Sequence, residues 1–213
     1  MNLEGCGCKA RFNASFMKNL EWYLNIVYDE YKRELFSKLG KDVLEIGAGT
    51  GINLKYYKDG INLYAIEPSK YMLKYLLDKA NSLDKDIKLH VIEGYAEKLP
   101  FEDESLDSVV STLVLCSVKS SYKVLDEIRR VLKPNGVFVF IEHIKAPDGT
   151  LVAKSQDILY RGWKWLFDGC DIKRDTDKTI EAIFPEVDFK IIRFNSPFIP
   201  VNYHLIGYAK KSA

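Results

Sequence analysis

From residue 13 to 39 apolar and aromatic side chains recur at three- and four-residue spacing, through Phe16, Leu20, Tyr23, Leu24, Val27, Tyr28, Tyr31 and Leu35. That period predicts one or two amphipathic helices. Past Gly40 the pattern changes to short apolar or β-branched runs separated by helical stretches. Strands are predicted over Asp42–Ile46, Asn62–Glu67 and Lys88–Glu93, with a helix around Asn53 and another over Ser69–Ala80. The rhythm continues with a strand over Ser108–Leu113, a helix over Ser121–Leu132 stopped by Pro134-Asn135-Gly136, and a strand over Val137–Glu142. Strands that alternate with helices in this way build a parallel sheet, and the fold class is α/β. Helices are then predicted over Leu151–Phe167 and Asp175–Phe184, and strands over Phe189–Phe194 and Tyr203–Ala209. The loop between the last two strands is too short for a helical crossover, so they are expected to pair antiparallel.

The 213 residues show no internal repeat or linker and suit one domain. Lys and Arg number 31 against 30 Asp and Glu, a formal charge of +1. No general attraction for nucleic acid or an anionic membrane follows from that balance, so a small-molecule partner is expected. The N-terminus has no basic, apolar signal segment, and no run approaches the roughly 18 apolar residues that cross a bilayer. A cytoplasmic location without stable membrane insertion is expected, and oligomeric state is left open. Cys6, Cys8, Cys116 and Cys170 are too few and scattered for a disulfide framework.

The sharpest local pattern is Val43-Leu44-Glu45-Ile46-Gly47-Ala48-Gly49-Thr50-Gly51. A buried strand runs into a glycine turn, where the backbone can approach a ligand closely. A dinucleotide fingerprint reads G-x-G-x-x-G and seats a pyrophosphate on a helix N-terminus. Here the spacing is G-x-G-x-G and an acid, Glu45, precedes it. The acid suits a ligand that carries a cationic group as well as an anionic one. The second predicted strand ends at Glu67, followed by Pro68 and Ser69. A carboxylate there can accept both hydroxyls of a ribose; the competing reading has Glu67 charging the start of its helix.

With these motifs the chain resembles the class I S-adenosylmethionine-dependent methyltransferases, from about Tyr28 to its end. The resemblance implies a Rossmann-like class I methyltransferase fold, a seven-stranded, mostly parallel sheet with the last strand antiparallel and helices on both faces. It also implies S-adenosyl-L-methionine as cofactor and S-adenosyl-L-homocysteine as product. Glu93–Phe101 is similar to the family's segment beside adenine, with Tyr95 where Asp is common. Leu106–Val110 is similar to the fourth strand, and Ile128–Gly136 to the helix and turn before the fifth, with Asn135 in place of a commoner Gly. The residues implied to meet the cofactor are Glu45, Gly47, Ala48, Gly49, Gly51, Asn53, Glu67, Pro68, Ser69, Met72, Tyr95, Ala96, Glu97, Thr112 and Leu113, with Tyr28 covering it from the leading helix. The implied layout is a single methyltransferase domain over 1–213, with an N-terminal helical cap (1–40), a cofactor-binding core (41–145), and substrate-side helices with a terminal strand pair (146–213).

A nearer resemblance, to the methyltransferase-like thiol S-methyltransferases known from mammals, rests on Lys32–Ser37, Thr112–Val118 and Glu142-His143, and extends through Trp165–Cys170, Arg174-Asp175-Thr176 and His204 with Gly207-Tyr208-Ala209. It implies methylation of a small thiol or sulfide. Those mammalian proteins carry an N-terminal hydrophobic anchor, and only Met1–Arg11 stand before the first apolar helix here, which implies a soluble relative. Bacterial phospholipid and quinone methyltransferases share Thr112–Val118 and Glu142-His143, which makes a lipid amine or quinone-type ring the alternative acceptor. A non-catalytic cofactor-binding protein is a third reading, and an NAD-linked oxidoreductase a fourth whose glycine spacing does not match.

In an open α/β sheet ligands meet the carboxyl ends of the strands, which places Thr112–Cys116, Glu142 and His143 near the transferred methyl. A thiol with a pKa near ~8.5 is partly thiolate at neutral pH, and a nearby cation increases that fraction. His143 is the candidate catalytic residue for that role; alternatively it bonds backbone or Glu142. Cys116 and Cys170 read as small buried hydrophobes or as contacts to a soft acceptor. Trp165, Asp168 and Tyr203 complete the substrate-side candidates, with core packing or surface charge as the bland alternative; Asp168 and Arg174 can pair across the turn at Gly169. No metal is expected, because Cys6-Gly7-Cys8 supplies two thiols and no matching ligands for a tetrahedral set.

Overall fold

The computed structural model describes residues 7–212. Its seven strands form a sheet in the order β3-β2-β1-β4-β5-β7-β6 with helices around it, and the chain divides into two compact units that meet in sequence between Tyr95 and Ala96.

The first unit opens with α1 (Gly7–Phe36), one continuous helix whose buried stripe includes Leu24, Tyr28, Lys32, Leu35 and Phe36. Strand β1 (Asp42–Ile46) is apolar apart from its end residue and Glu45, and only Asp42 is not buried. A strand covered on both faces reads as such a run, because parallel strands seldom have a wet side. β2 (Ile61–Glu67) pairs in parallel with β1 through Leu44 opposite Tyr64, and with β3 (Ile87–Glu93) through Ala65 opposite Val91. Helix α2 (Lys70–Ser82) follows β2 and is joined to α1 by the Lys79–Glu21 ion pair at 2.6 Å. The helix predicted around Asn53 is reduced to a single 3-10 turn at Leu54–Tyr56. The side chains of Asn53 and Tyr57 are both drawn onto Glu45, and Tyr57 itself is extended, so the helix goes no further.

The second unit holds β4 (Leu106–Thr112), α3 (Ser121–Val131), β5 (Leu132–His143), α4 (Leu151–Leu166), α5 (Thr176–Ile183), β6 (Glu186–Arg193) and β7 (Tyr203–Lys210). β5 runs parallel to β4, and β7 is antiparallel to both β5 and β6, as the short final connection predicts. β5 begins at Leu132, earlier than the sequence suggests, because Leu132 pairs with Leu106 before a register shift to Ser108 opposite Val137. Pro134-Asn135-Gly136 is thus absorbed as an irregularity in the strand, with Asn135 at φ 64°. Ser120 caps α3 and Thr150 caps α4, each accepting a backbone N–H three residues on. The core is formed by Val109, Val110, Leu125, Ile128, Phe140 and the stacked pair Phe138–Phe184. Among the described residues no helix is long and apolar enough to cross a membrane.

Candidate active site

Strand β1 delivers Glu45 and then the glycine turn. Gly47, Gly49 and Gly51 all take left-handed backbone angles, at φ 58°, 55° and 76°. A side chain at Gly51 would also meet Leu54 at 3.1 Å and the backbone of Leu76 at 3.3 Å, so the turn packs directly on α2. Glu45 is buried; its Oε1 accepts from Asn53 Nδ2 at 2.7 Å and its Oε2 from the Tyr57 hydroxyl at 2.8 Å. Burial pushes its pKa up to about 7, against those hydrogen bonds and the charge of Lys32.

Glu67, at the end of β2, is also buried. Its Oε2 accepts from the backbone N–H of Gly49 at 3.0 Å and its Oε1 from that of Ser69 at 2.9 Å. The Ser69 bond is the helix-start role anticipated for it, and the Gly49 bond locks the carboxylate onto the glycine turn. Each oxygen keeps a further lone pair for a ligand hydroxyl. Burial raises the Glu67 pKa and the two backbone N–H groups oppose the rise.

Lys32, on the buried stripe of α1, is a polar residue that the sequence spacing does not single out. It is 0% exposed, its Nζ has no hydrogen-bond partner among the described residues, and it lies 5.8 Å from the ring centre of Tyr28 and 5.3 Å from that of Tyr56. Burial pulls its pKa down to about 8, while the charge of Glu45 works to raise it. A buried ammonium without a hydrogen bond is costly, and a bound carboxylate would supply one. The first unit thus buries two carboxylates, Glu45 and Glu67, and one ammonium, Lys32.

In the second unit, Glu142 is fully buried near the end of β5. It accepts from the Ser111 hydroxyl at 2.6 Å and from the backbone N–H groups of Val114 and Leu115 at 3.0 to 3.1 Å. It thus fixes the turn after β4, where Leu113 is held at φ 59°, an angle seldom adopted by a residue with a Cβ. Next to it, His143 turns Nε2 to the sulfur of Cys170 at 3.1 Å. Cys116 completes a buried group whose ligand atoms all lie within 4.8 Å of one another. The Cys116 thiol is pushed well up in pKa by its hydrogen bond with Cys170 and by burial. His204, opposite His143 across the β5–β7 ladder, is pulled down to about 3 by burial and the neighbouring imidazole.

The remaining candidates scatter. Ala48, Asn53 and Tyr28 are buried, Met72 and Ser69 half-buried, Pro68 exposed, and Tyr95 is 50% exposed. Ala96 is buried, Glu97 accepts from Lys119 N at 2.8 Å, and Thr112 and Leu113 are half-buried. Trp165 is 71% exposed at the end of α4, whereas Trp163 donates its indole N–H to Cys170 at 3.3 Å. Asp168 stands at φ 46° in the following turn and Tyr203 begins β7. Arg174 reaches the segment after β4, donating to Leu115 O at 2.5 Å and Val118 O at 2.9 Å. Cys8 is exposed on α1, and Cys6 lies outside the described residues.

A methyltransferase-domain family model matches residues 44–140. Human thiol S-methyltransferase TMT1B is 36% identical over 99% of this chain and 91% of its own length. The rat TMT1B is 38% identical over 84% of this chain and 78% of its own. A solved S-adenosylmethionine-dependent methyltransferase from Methanosarcina mazei shares the fold at a TM-score of 0.63 and 20% identity, covering 83% of this chain and 95% of that one. Sheet order, glycine turn and these matches define an S-adenosylmethionine-dependent methyltransferase of class I. Within that class the chain belongs to the family that includes the thiol S-methyltransferases TMT1A and TMT1B.

Proposed function

We propose that this protein transfers a methyl group from S-adenosyl-L-methionine to the sulfur of a small thiol or sulfide. The observation that carries the acceptor class is the group of Cys116, Cys170 and His143, a soft, buried, polar cluster at the end of β5, in a chain similar to proteins named for thiol methylation.

S-adenosylmethionine, when bound, supplies a methyl carbon activated by the neighbouring sulfonium. The protein's own work is to bind, align and exclude water. We assign Glu67 to the ribose hydroxyls, Glu45 to the methionyl ammonium and Lys32 to its carboxylate. The backbone of Gly47–Gly51 gives the close approach. His143 is the group proposed to face the acceptor sulfur and hold it in line.

The test supplies donor carrying a heavy methyl group to purified protein with 2-mercaptoethanol, and reads products by mass spectrometry. A thioether bearing the label is expected. A label that appears only on amine, phospholipid or quinone acceptors would transfer the reading to the alternative acceptors.

A further inference from the structure

Three side chains from separate segments converge in the second unit: Cys116 from the loop after β4, His143 from the end of β5, and Cys170 from the loop after α4. We propose that they bind one soft divalent cation of the zinc class and leave its fourth position for the sulfur of the acceptor. The second half of this proposal rests on the thiol reading above; the first half does not.

Geometry supports the site first. Zinc bonds of ~2.3 Å to sulfur and ~2.0–2.1 Å to imidazole nitrogen, arranged tetrahedrally, set ligand atoms roughly 3.4 to 3.8 Å apart. The Nε2–Sγ distance between His143 and Cys170 is 3.1 Å, and no pair in the group exceeds 4.8 Å. Small side-chain movements close that range onto an ion.

The donor set comes next. Two thiols and an imidazole select zinc-like ions over magnesium, calcium or manganese, which prefer oxygen. Binding releases the two thiol protons to solvent, and an acceptor thiol loses one more on entering the fourth position. Two protein thiolates cancel the double positive charge, so the site with its ion alone carries no net charge in a buried place where a bare charge would be costly, and the acceptor thiolate then adds one negative charge. Three protein ligands and an open position are the arrangement of zinc sites that act on a substrate, whereas purely structural sites close all four.

The surroundings hold the donors in place. Asp171 N donates to Cys116 O at 2.9 Å and Arg174 pins the carbonyls of Leu115 and Val118, which ties the two cysteine loops together. The Trp163 indole N–H fixes the Cys170 sulfur, and Ile172, Tyr160, Phe167 and Val201 pack around both cysteines. Nε2 is the His143 nitrogen turned toward the Cys170 sulfur. A pair of cysteines serving only as small hydrophobes gives no reason for an imidazole and an indole N–H to be aimed at one sulfur.

Reduced, metal-stripped protein is titrated with Co2+, followed by thiolate-to-cobalt charge transfer and tetrahedral d–d bands, with Zn2+ as competitor. One ion per chain is expected. Cys116→Ser, Cys170→Ser and His143→Ala should each weaken binding by about tenfold or more, while a Cys6→Ser, Cys8→Ser double variant binds like the parent. Circular dichroism and a cooperative thermal melt verify that each variant is folded. No stoichiometric ion, or binding that disappears only with Cys6 and Cys8, overturns the site. Addition of 2-mercaptoethanol to the cobalt protein should intensify the charge-transfer band as a third sulfur joins, and an unchanged spectrum overturns the open position. Methyl transfer is scored separately: a protein that binds cobalt at these residues yet methylates no thiol retires the thiol reading and leaves the metal site standing.

Discussion

Burial of the Lys32 ammonium, with no hydrogen bond among the described residues, costs stability in the free protein, and the proposed ligand carboxylate would give it a partner. Lys32→Met should therefore stabilise the ligand-free chain at neutral pH by roughly 1–3 kcal/mol, since the burial cost of the ammonium exceeds the attraction of Glu45 and the stem's volume is kept. The same change should weaken S-adenosylhomocysteine by a similar amount, the range for a hydrogen bond to a charged group. Thermal melts with and without ligand check both halves; a variant that melts lower and binds unchanged would make Lys32 a packing residue. Glu67→Ala should also cost about 1–3 kcal/mol of S-adenosylhomocysteine affinity by titration calorimetry. Glu45, Glu67 and the glycines stand out as candidates from their spacing along the sequence. Lys32 had a signal, a lysine on the stripe that also carries Tyr28 and Leu35, but an amphipathic stripe reads as core before it reads as site. Cys116, His143 and Cys170 each stood out in the sequence as candidates, but their convergence did not, because they come from loops and a strand end that only the tertiary fold joins.

Among the elements, the glycine turn is the one that a single side chain should break. Gly49→Val forces a β-branched residue to φ 55°, in the left-handed region, and fills the space nearest the proposed ligand. Loss of measurable S-adenosylhomocysteine binding with retained folding is expected, and retained affinity would move the site elsewhere. The helices and strands themselves were readable from periodicity, including the antiparallel final pair. Two boundaries were not. The segment after the glycine turn looked helical until Asn53 and Tyr57 were drawn onto Glu45, a contact made by side chains rather than by local propensity. Pro134-Asn135-Gly136 looked like a turn before the fifth strand, yet Leu132 already pairs with Leu106 ahead of it. Pairing with a distant strand overrode the local punctuation there.

At the scale of the whole molecule, the buried charges of the first unit make both stability and binding depend on pH. Glu45 rises from an ordinary 4.5 to about 7. Its stabilising contribution is full below pH 4.5, where both states hold the proton, and is lost as pH rises through 7. The loss amounts to about 3 kcal/mol, since each pH unit separating the folded and unfolded titrations is worth ~1.4 kcal/mol. Lys32 falls from 10.5 to about 8, so its contribution is present above pH 10.5 and is lost as pH drops through 8. Both charges therefore burden the ligand-free protein most between about pH 7 and 8. Glu45→Gln should flatten the acid half of this profile in urea unfolding, and a difference curve that stays constant from pH 4.5 to 7 would contradict the assignment. The sequence made the overall class readable because strand rhythm, glycine turn and terminal acid agree, but a pH response depends on burial that no spacing reveals.

The central claim is methyl transfer to sulfur. Its most direct test is S-adenosylhomocysteine release by the purified protein with sulfide, 2-mercaptoethanol and dithiothreitol, beside catechol, amine and phospholipid acceptors. Release confined to the thiols and sulfide is predicted. Inert thiols in a preparation that demonstrably binds S-adenosylhomocysteine would contradict the account.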